Sequence, residues 1–434
     1  MSDSPAQTRA IDVHGIARVE GEGSLHVRIA DGALESVELE IFEPPRFFEA
    51  FLKGRGYEEP PDITARICGI CPVAYQMSAC KAIEDACGTE IPQSITDLRR
   101  LLYCGEWIQS HALHVYLLHA PDFFGFKDAV ELAAADRSVV ERGLRLKKAG
   151  NALMERVGGR AIHPVNVRVG GFYRAPDKQQ IAALTPILRA ALDDALETVE
   201  WVAGFRFPDD SHDYLFVSLV DDERYPIESG TVRSSKGADL TAGAFLDLIT
   251  EEHVQRSNAL HAHLLGGDTY LTGPLARYAL NARKLPPLAA AAAERVGLGE
   301  VCRNPFKSII VRSVEIVAAC EEALRLIGGY TPFDPAAVPV TPHSGSGVGA
   351  TEAPRGLLLH RYELSDDGTI IEAQIVPPTS QNQDAIEDDL RRVISTRLEL
   401  RDDELRDLCE QAVRNHDPCI SCAAHFLDIA VERR

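Results

Sequence analysis

The sequence predicts a mainly α protein with β appendages: a large helical-bundle core carrying a small antiparallel sheet at its N-terminal end. Three observations carry that expectation. Apolar residues recur at helical spacing over several long stretches. Short β-branched runs separated by Gly-rich turns cluster before residue 45. Of the 434 residues, 45% are hydrophobic, enough to bury a large core.

In chain order, Ile11–Arg18, Leu25–Ala30 and Leu34–Phe42 show partial alternation and read as strands. From Ala74 the period changes, and Ala74–Cys87, Ile95–His119, Lys127–Val157, Lys178–Phe205 and Pro305–Ile327 read as helices. Tyr214–Asp221 and Thr231–Ser234 look like strands between them. Leu357–Leu364 and Thr369–Val376 form a predicted hairpin about Asp366-Asp367-Gly368, where Asp-Gly suits a tight turn. Asp384–Arg414 is expected as one last helix, and Gly329–Gly349, with its Gly and Pro cluster, as a loop. No repeat and no long linker interrupts the chain. A single domain over residues 1–434 is therefore expected, with a β region at about 10–45, a helical core at about 60–330 and a hairpin, helix and cysteine motif at about 350–425.

Charge and hydropathy exclude several classes. Asp and Glu number 65 against 45 Lys and Arg, and the resulting −20 opposes adhesion to nucleic acid or anionic lipid. No run approaches the ~20 apolar residues that span a bilayer, and no charged leader precedes an apolar stretch. A cytoplasmic protein without direct membrane insertion is expected.

The chemistry lies in the cysteines. There are ten, and two close pairs in a leaderless chain point to metal or redox use rather than disulfides. The first pair is in Arg66-Ile-Cys68-Gly-Ile-Cys71-Pro72, the second in Asp417-Pro-Cys419-Ile-Ser-Cys422-Ala-Ala-His425. Three residue steps can bring both sulfurs of a pair onto one metal centre, and neighbouring Pro or Gly favours a turn. Four soft thiolates suit nickel, iron or zinc rather than magnesium or calcium. A structural zinc site stays open on these grounds, although zinc ribbons place their pairs about 15–20 residues apart, against 351 positions here. Cys80, Cys87, Cys104, Cys302, Cys320 and Cys409 are expected to act as small buried hydrophobes. His111, His114, His261 and His263 match no motif and read as structural or surface residues.

The two cysteine motifs occur with Ala17-Arg-Val-Glu20-Gly-Glu-Gly, Phe48-Glu49-Ala-Phe-Leu-Lys-Gly-Arg55, Gly158-Gly-Arg-Ala-Ile-His163-Pro, Gly170-Gly171, Glu352-Ala-Pro-Arg355-Gly and Pro378-Thr379. In that order they resemble the large subunits of nickel-iron hydrogenases over most of the chain. The resemblance implies that family's large-subunit fold and reversible heterolytic oxidation of H2. It makes Cys68 and Cys419 terminal ligands of nickel, and Cys71 and Cys422 bridges from nickel to an iron carrying cyanide and carbon monoxide. Arg355 would lie over the diatomic ligands, Thr379 would offer cyanide a hydrogen bond, and Asp417 would stand beside the cluster. Glu20 would take the first proton from Cys419, with Glu22 as the rival carboxylate. Glu49, His425 and the carbonyl of Ile375 would hold magnesium, or a second iron, near the C-terminus. Related precursors are often cut after that histidine, which makes residues 426–434 a possible cleavable tail.

One position departs from a common family pattern. Tyr75 stands where many relatives have His, and a phenol cannot titrate near neutral pH as imidazole does. In this the chain looks similar to the cytoplasmic, cofactor-coupled branch, of the sulfhydrogenase alpha type. No further cysteine cluster suits an iron-sulfur relay, and no Gly-x-Gly-x-x-Gly fingerprint is present. Electrons are thus expected to leave through an iron-sulfur small subunit, and beyond it through diaphorase-type subunits that bind flavin and NAD(P). NAD, NADP, a deazaflavin and ferredoxin all stay open as acceptors. The rival readings are a complex I-like subunit, which would lack the cysteines, an energy-converting hydrogenase subunit, which tends to end the second motif in Arg, and a zinc-stabilised assembly protein.

Overall fold

Strand periodicity near the N-terminus produces a three-stranded antiparallel sheet, Thr8–Val13, Gly23–Ala30 and Ala33–Ile41, in the computed structural model, which describes residues 8–424. Ile11, Val13, Leu25, Val27, Ile29, Val37, Leu39 and Ile41 form its buried face, as period-2 alternation requires. That face packs on Ile386, Leu390 and Val393 of the helix Pro378–Ser395 and on Leu405, Cys409 and Val413 of the helix Asp402–Asn415. The first strand stops at Val13 rather than Arg18, because Gly15 and Arg18 adopt positive φ and turn the chain.

The helical core consists of Pro72–Ala86, Gln93–Leu113, Arg137–Gly158, Thr185–Ala203 and Ser308–Gly329. The last is buried along nearly its whole length and packs on the second and fourth. Gln93–Leu113 and Arg137–Gly158 approach closely: a Cβ on Gly150 would stand 2.5 Å from the Gly105 carbonyl oxygen. The largest buried cluster runs through these helices and includes all four motif cysteines.

Several expected elements break where local capping wins over the apolar period. Ile95–His119 is α-helical only to Leu113, and His114–His119 continues in wider π turns. Lys127–Val157 divides into Ala129–Ala135 and Arg137–Gly158, because the side chains of Asp128 and Asp136 each cap a new helix. Lys178–Phe205 divides at Ala183 and Leu184 into Lys178–Ala182 and Thr185–Ala203, with Pro186 in the first turn of the second helix, where its missing N–H costs nothing. Asp384–Arg414 is two helices, broken where Leu398 and Leu400 offer their carbonyls to Arg9 at 3.0 and 2.6 Å.

The expected loop Gly329–Gly349 ends in a strand, Gly345–Ala353, which joins Gly356–Leu364 and Ile370–Val376 in an antiparallel sheet. Its glycines lie directly on a helix: a Cβ at Gly347 would stand 2.2 Å from the Ala82 carbonyl, and one at Gly349 2.2 Å from that of Ser78. Short elements that the sequence reading missed include the strands Gly237–Leu240, Ile249–His253 and Leu260–Leu264 and the helices Pro274–Asn281 and Pro287–Arg295. No helix among the described residues is long and apolar enough to cross a membrane.

Candidate metal centre

Cys68 follows a short 3-10 turn, Ala65–Ile67, and Cys71 stands at the N-terminus of the helix Pro72–Ala86, with Pro72 in its first turn. Cys71 supplies no side-chain cap. Instead Glu106, buried in the Gln93–Leu113 helix, accepts from the Val73 and Ala74 amides at 2.6 and 3.1 Å. At the other end of the chain Cys419 precedes the one-turn helix Ile420–Ala423, in which Cys422 lies.

The fold brings the two pairs together. Cys68 Sγ lies 3.4 Å from Cys419 Sγ and Cys71 Sγ lies 3.8 Å from Cys422 Sγ. One ligand atom from each of the four falls within 4.8 Å of the others, and all four residues are buried. None is in a disulfide. Burial and the crowding of sulfurs push the Cys419 and Cys422 thiols up, while hydrogen bonds from the other three sulfurs draw Cys68 down.

Three features tie the chain ends. Glu20 and Cys419 form a parallel β-bridge in which the Ile420 amide donates to the Glu20 carbonyl at 2.9 Å. Gly21, at φ +90°, permits it, since a Cβ there would stand 2.6 Å from Ile420 Cβ. Arg46 donates to the carbonyls of both Ile67 and Ser421, beside each cysteine motif.

Around the sulfurs the expected residues assemble. Cys419 Sγ lies 3.2 Å from Glu20 Oε2, which also accepts from the Ser421 amide at 3.0 Å. Burial, and then the neighbouring Cys68 sulfur, raise the Glu20 carboxyl above its ordinary range. Arg355 Nε donates to the Asp417 carbonyl at 2.8 Å and its Nη2 to Asp417 Oδ1 at 3.0 Å. Its Nη1 is buried with no hydrogen-bond partner among the described residues. Asp417 itself takes φ +52°. The Thr379 hydroxyl oxygen accepts from the Cys419 amide at 2.9 Å, so this residue braces the ligand's backbone.

Glu22 is not in the site. Its side chain is exposed and its amide donates to Glu43 at 3.1 Å. Glu43 and Ser421 were missed in the sequence, although Ser421 Oγ donates to Glu43 Oε1 at 2.7 Å, one step beyond Glu20. Glu49 accepts from the Ile375 amide at 2.7 Å, so those two expected residues do meet. Beside them Glu251, also missed, has Oε1 buried without a hydrogen-bond partner among the described residues, and burial with the Glu49 charge lifts its carboxyl to about 7. His425 lies outside the described residues, as does the tail 426–434.

Tyr75 is buried, and its burial beside the Cys422 and Cys71 sulfurs pushes the phenol well above its usual range. Its ring lies 5.7 Å from that of His360. His111 and His114 are core residues rather than surface ones. His111 stands 3.0 Å from Glu315 and is held down at about 4 by burial, while His114 donates to the Arg414 carbonyl at 2.8 Å. His261, also buried, pairs with Asp384 at 2.9 Å, and His263 is half-buried. Of the remaining cysteines all but the half-buried Cys87 are buried.

The chain is similar to known proteins over nearly all of its length. The family model described as nickel-dependent hydrogenase matches residues 46–142 and 323–425, the segments that carry both cysteine motifs. The sulfhydrogenase 1 subunit alpha of Pyrococcus furiosus is 33% identical over 96% of this chain and 98% of its own length. The NAD-reducing hydrogenase HoxS subunit beta of Cupriavidus necator is 26% identical over 97% of this chain and 95% of its own. The crystal structure of an NAD+-reducing [NiFe]-hydrogenase in the H2-reduced state superposes with a TM-score of 0.88, at 27% identity, over 97% of this chain and 100% of that one. With the cysteine pairs joined in one buried cluster and this likeness running nearly end to end, the chain belongs to the nickel-dependent hydrogenases and is their nickel-iron large subunit.

Proposed function

We propose that this chain is the H2-cleaving subunit of a multi-subunit hydrogenase of the cytoplasm, one that passes electrons through an iron-sulfur small subunit and diaphorase-type flavin subunits to NAD(P). The observation that carries the catalytic part is the buried four-sulfur cluster, with Glu20 at 3.2 Å from Cys419. The NAD(P) part is supported by the likeness to hydrogenases whose names describe them as NAD-reducing.

The residues fit a nickel-iron pair. Four soft thiolates suit both metals, and the buried Arg355 Nη1 is a donor in want of an acceptor, as a cyanide nitrogen would be. Cys68 and Cys419 would hold nickel alone, and Cys71 and Cys422 would join it to an iron carrying cyanide and carbon monoxide. Bound there, the pair supplies the heterolytic cleavage and formation of H2. The chain's own part is the proton: Glu20 Oε2 receives it beside Cys419, and burial raises the carboxyl's affinity for a proton, the direction a relay needs. The Ser421 amide donates to this carboxylate and the Ser421 hydroxyl donates to Glu43, which sets a second carboxylate nearby. Glu49, Ile375 and His425 would hold magnesium or a second iron, a hard-cation site that suits carboxylate and carbonyl oxygen. Residues 1–434 act as one domain, with removal of 426–434 as a closing step.

Elemental analysis and a coupled assay test the reading together. Equal nickel and iron, H/D exchange, and NAD(P) reduction under H2 only when the partner subunits are present are the expected results. Zinc alone, or full NAD(P) reduction by the isolated chain, would overturn it. Intact mass settles the tail, since a fully active species ending at Arg434 would remove cleavage from the scheme.

A further inference from the structure

Arg277 lies on the short helix Pro274–Asn281, and no part of its side chain reaches solvent. A buried guanidinium is tolerated only when its N–H groups find acceptors. All five of them do. Nε and Nη2 donate to the two oxygens of Glu315, each at 2.8 Å. Nη1 donates to Glu352 Oε2 at 3.0 Å and to the Ala353 carbonyl at 2.7 Å, and the remaining Nη2 hydrogen reaches the Pro354 carbonyl at 2.8 Å. The guanidinium carbon sits 4.5 Å from the centre of the Trp107 ring, and the Trp107 indole N–H donates to the Glu352 carbonyl at 3.0 Å.

These contacts converge on one stretch of backbone. Ala353 pairs with Gly356 across the hairpin, so Pro354 and Arg355 are its two turn residues. The three carbonyls that lead into Arg355 are therefore all held, one by Trp107 and two by Arg277. From the opposite side Gly273, at φ +105°, presses on the same turn, since a Cβ there would stand 2.7 Å from the Arg355 carbonyl oxygen. The anchor is electrically firmer on its Glu315 side, since burial pushes Glu352 up to about 7. Against its own burial, Glu315 is held down to about 2, first by Arg277 and then by His111, and Tyr225 donates to it at 2.8 Å.

We propose that Arg277 is a positioning residue for the metal centre: by gripping the Ala353 and Pro354 carbonyls it fixes the turn from which Arg355 reaches Asp417 and the cysteine cluster. The proposal rests on the reading that Arg355 faces the diatomic ligands of the iron. Charge alone would not serve, because lysine cannot reproduce a planar fork that bonds two carboxylates and two carbonyls together.

The test compares Arg277→Lys with Arg355→Lys in the metal-loaded complex, reading the infrared bands of cyanide and carbon monoxide and the amide exchange of Glu352, Ala353, Arg355 and Gly356. Arg277→Lys is expected to retain its metals, shift or split the cyanide bands, speed amide exchange in the turn, and lower turnover by about 10–100-fold, as loss of a supporting partner does. Arg355→Lys should move the same bands. If it does while Arg277→Lys leaves them at their wild-type position and width, the positioning role is overturned and the reading of Arg355 stands. If Arg355→Lys moves nothing, that reading fails and takes this inference with it. Should Arg277→Lys yield no folded protein, Trp107→Phe decides, since it keeps an aromatic face under the guanidinium but loses the bond to the Glu352 carbonyl. A smaller band shift supports the proposal, and unchanged bands overturn it.

Discussion

At the scale of single residues, the site divides into groups that a motif announces and groups that only the fold brings in. Cys68, Cys71, Cys419 and Cys422 are legible because two Cys-x-x-Cys pairs, each of which can bring both sulfurs to one metal, stand within longer motifs, whereas spacing alone leaves a zinc or redox pair open. Glu20, Arg355 and Asp417 are legible through the short motifs around them. Ser421, Glu43, Glu251 and Arg277 are not, because each owes its place to a partner far away in sequence: Glu43 meets Ser421 across 378 positions. Glu20→Gln keeps the size and the bond to the Ser421 amide but cannot take up a proton. We predict a fall of roughly 10²–10⁴-fold in H/D exchange, with nickel content and infrared bands unchanged, whereas Glu22→Gln should leave exchange near wild type. Comparable rates in the two variants would sink the relay. The raised Cys419 and Cys422 thiols add a further expectation. Metal entry must displace their protons, so loading should release acid and strengthen as pH rises, which a weakly buffered titration would detect.

Among the elements, the long periodic helices were readable and the glycine-rich or interrupted segments were not. Periodicity reports the face that is buried, but it is silent on a capping aspartate such as Asp136 or on a strand whose glycines are the packing surface. Gly345–Ala353 belongs to the second kind. Gly347→Ala would press a methyl onto helix backbone rather than onto a side chain that could swing away. A loss of about 1–3 kcal/mol is expected, visible as a lower thermal midpoint. The N-terminal sheet carries a pH dependence of its own. His26 sits between Asp12 Oδ1 at 2.8 Å and Glu40 Oε2 at 3.0 Å, with Ser24 and His14 beside it. The bond to Asp12 and the one to Glu40 raise the imidazole above its ordinary 6.5. Its contribution is therefore complete below about 6.5 and is lost as pH rises through the elevated value, while Asp12, lowered by the same bond, loses its share only in acid. Amide exchange across the strands, once corrected for its intrinsic base-catalysed rise, should accelerate as pH climbs through that elevated value. His26→Gln should abolish that dependence, and an unchanged profile would refute the assignment.

For the whole molecule the governing feature is that one cluster draws its two halves from positions 351 apart. A metal shared by both pairs closes a loop over those 351 positions, and it removes from the unfolded ensemble an entropy worth on the order of 6 kcal/mol. Metal-loaded protein should accordingly unfold at markedly higher denaturant than metal-free protein, and replacing Cys419 and Cys422 together by Ser, which leaves the first pair intact, should forfeit most of that difference. The same separation sets a timetable during synthesis. At about 5–20 residues per second, the ribosome releases the second pair roughly 20–70 s after the first. For that interval Cys68 and Cys71 are nascent thiols without their partners, open to oxidation and to capture by whichever soft ion arrives. The finished centre can be built only after Cys422 has been made, so its assembly trails the synthesis of the first pair by hundreds of residues.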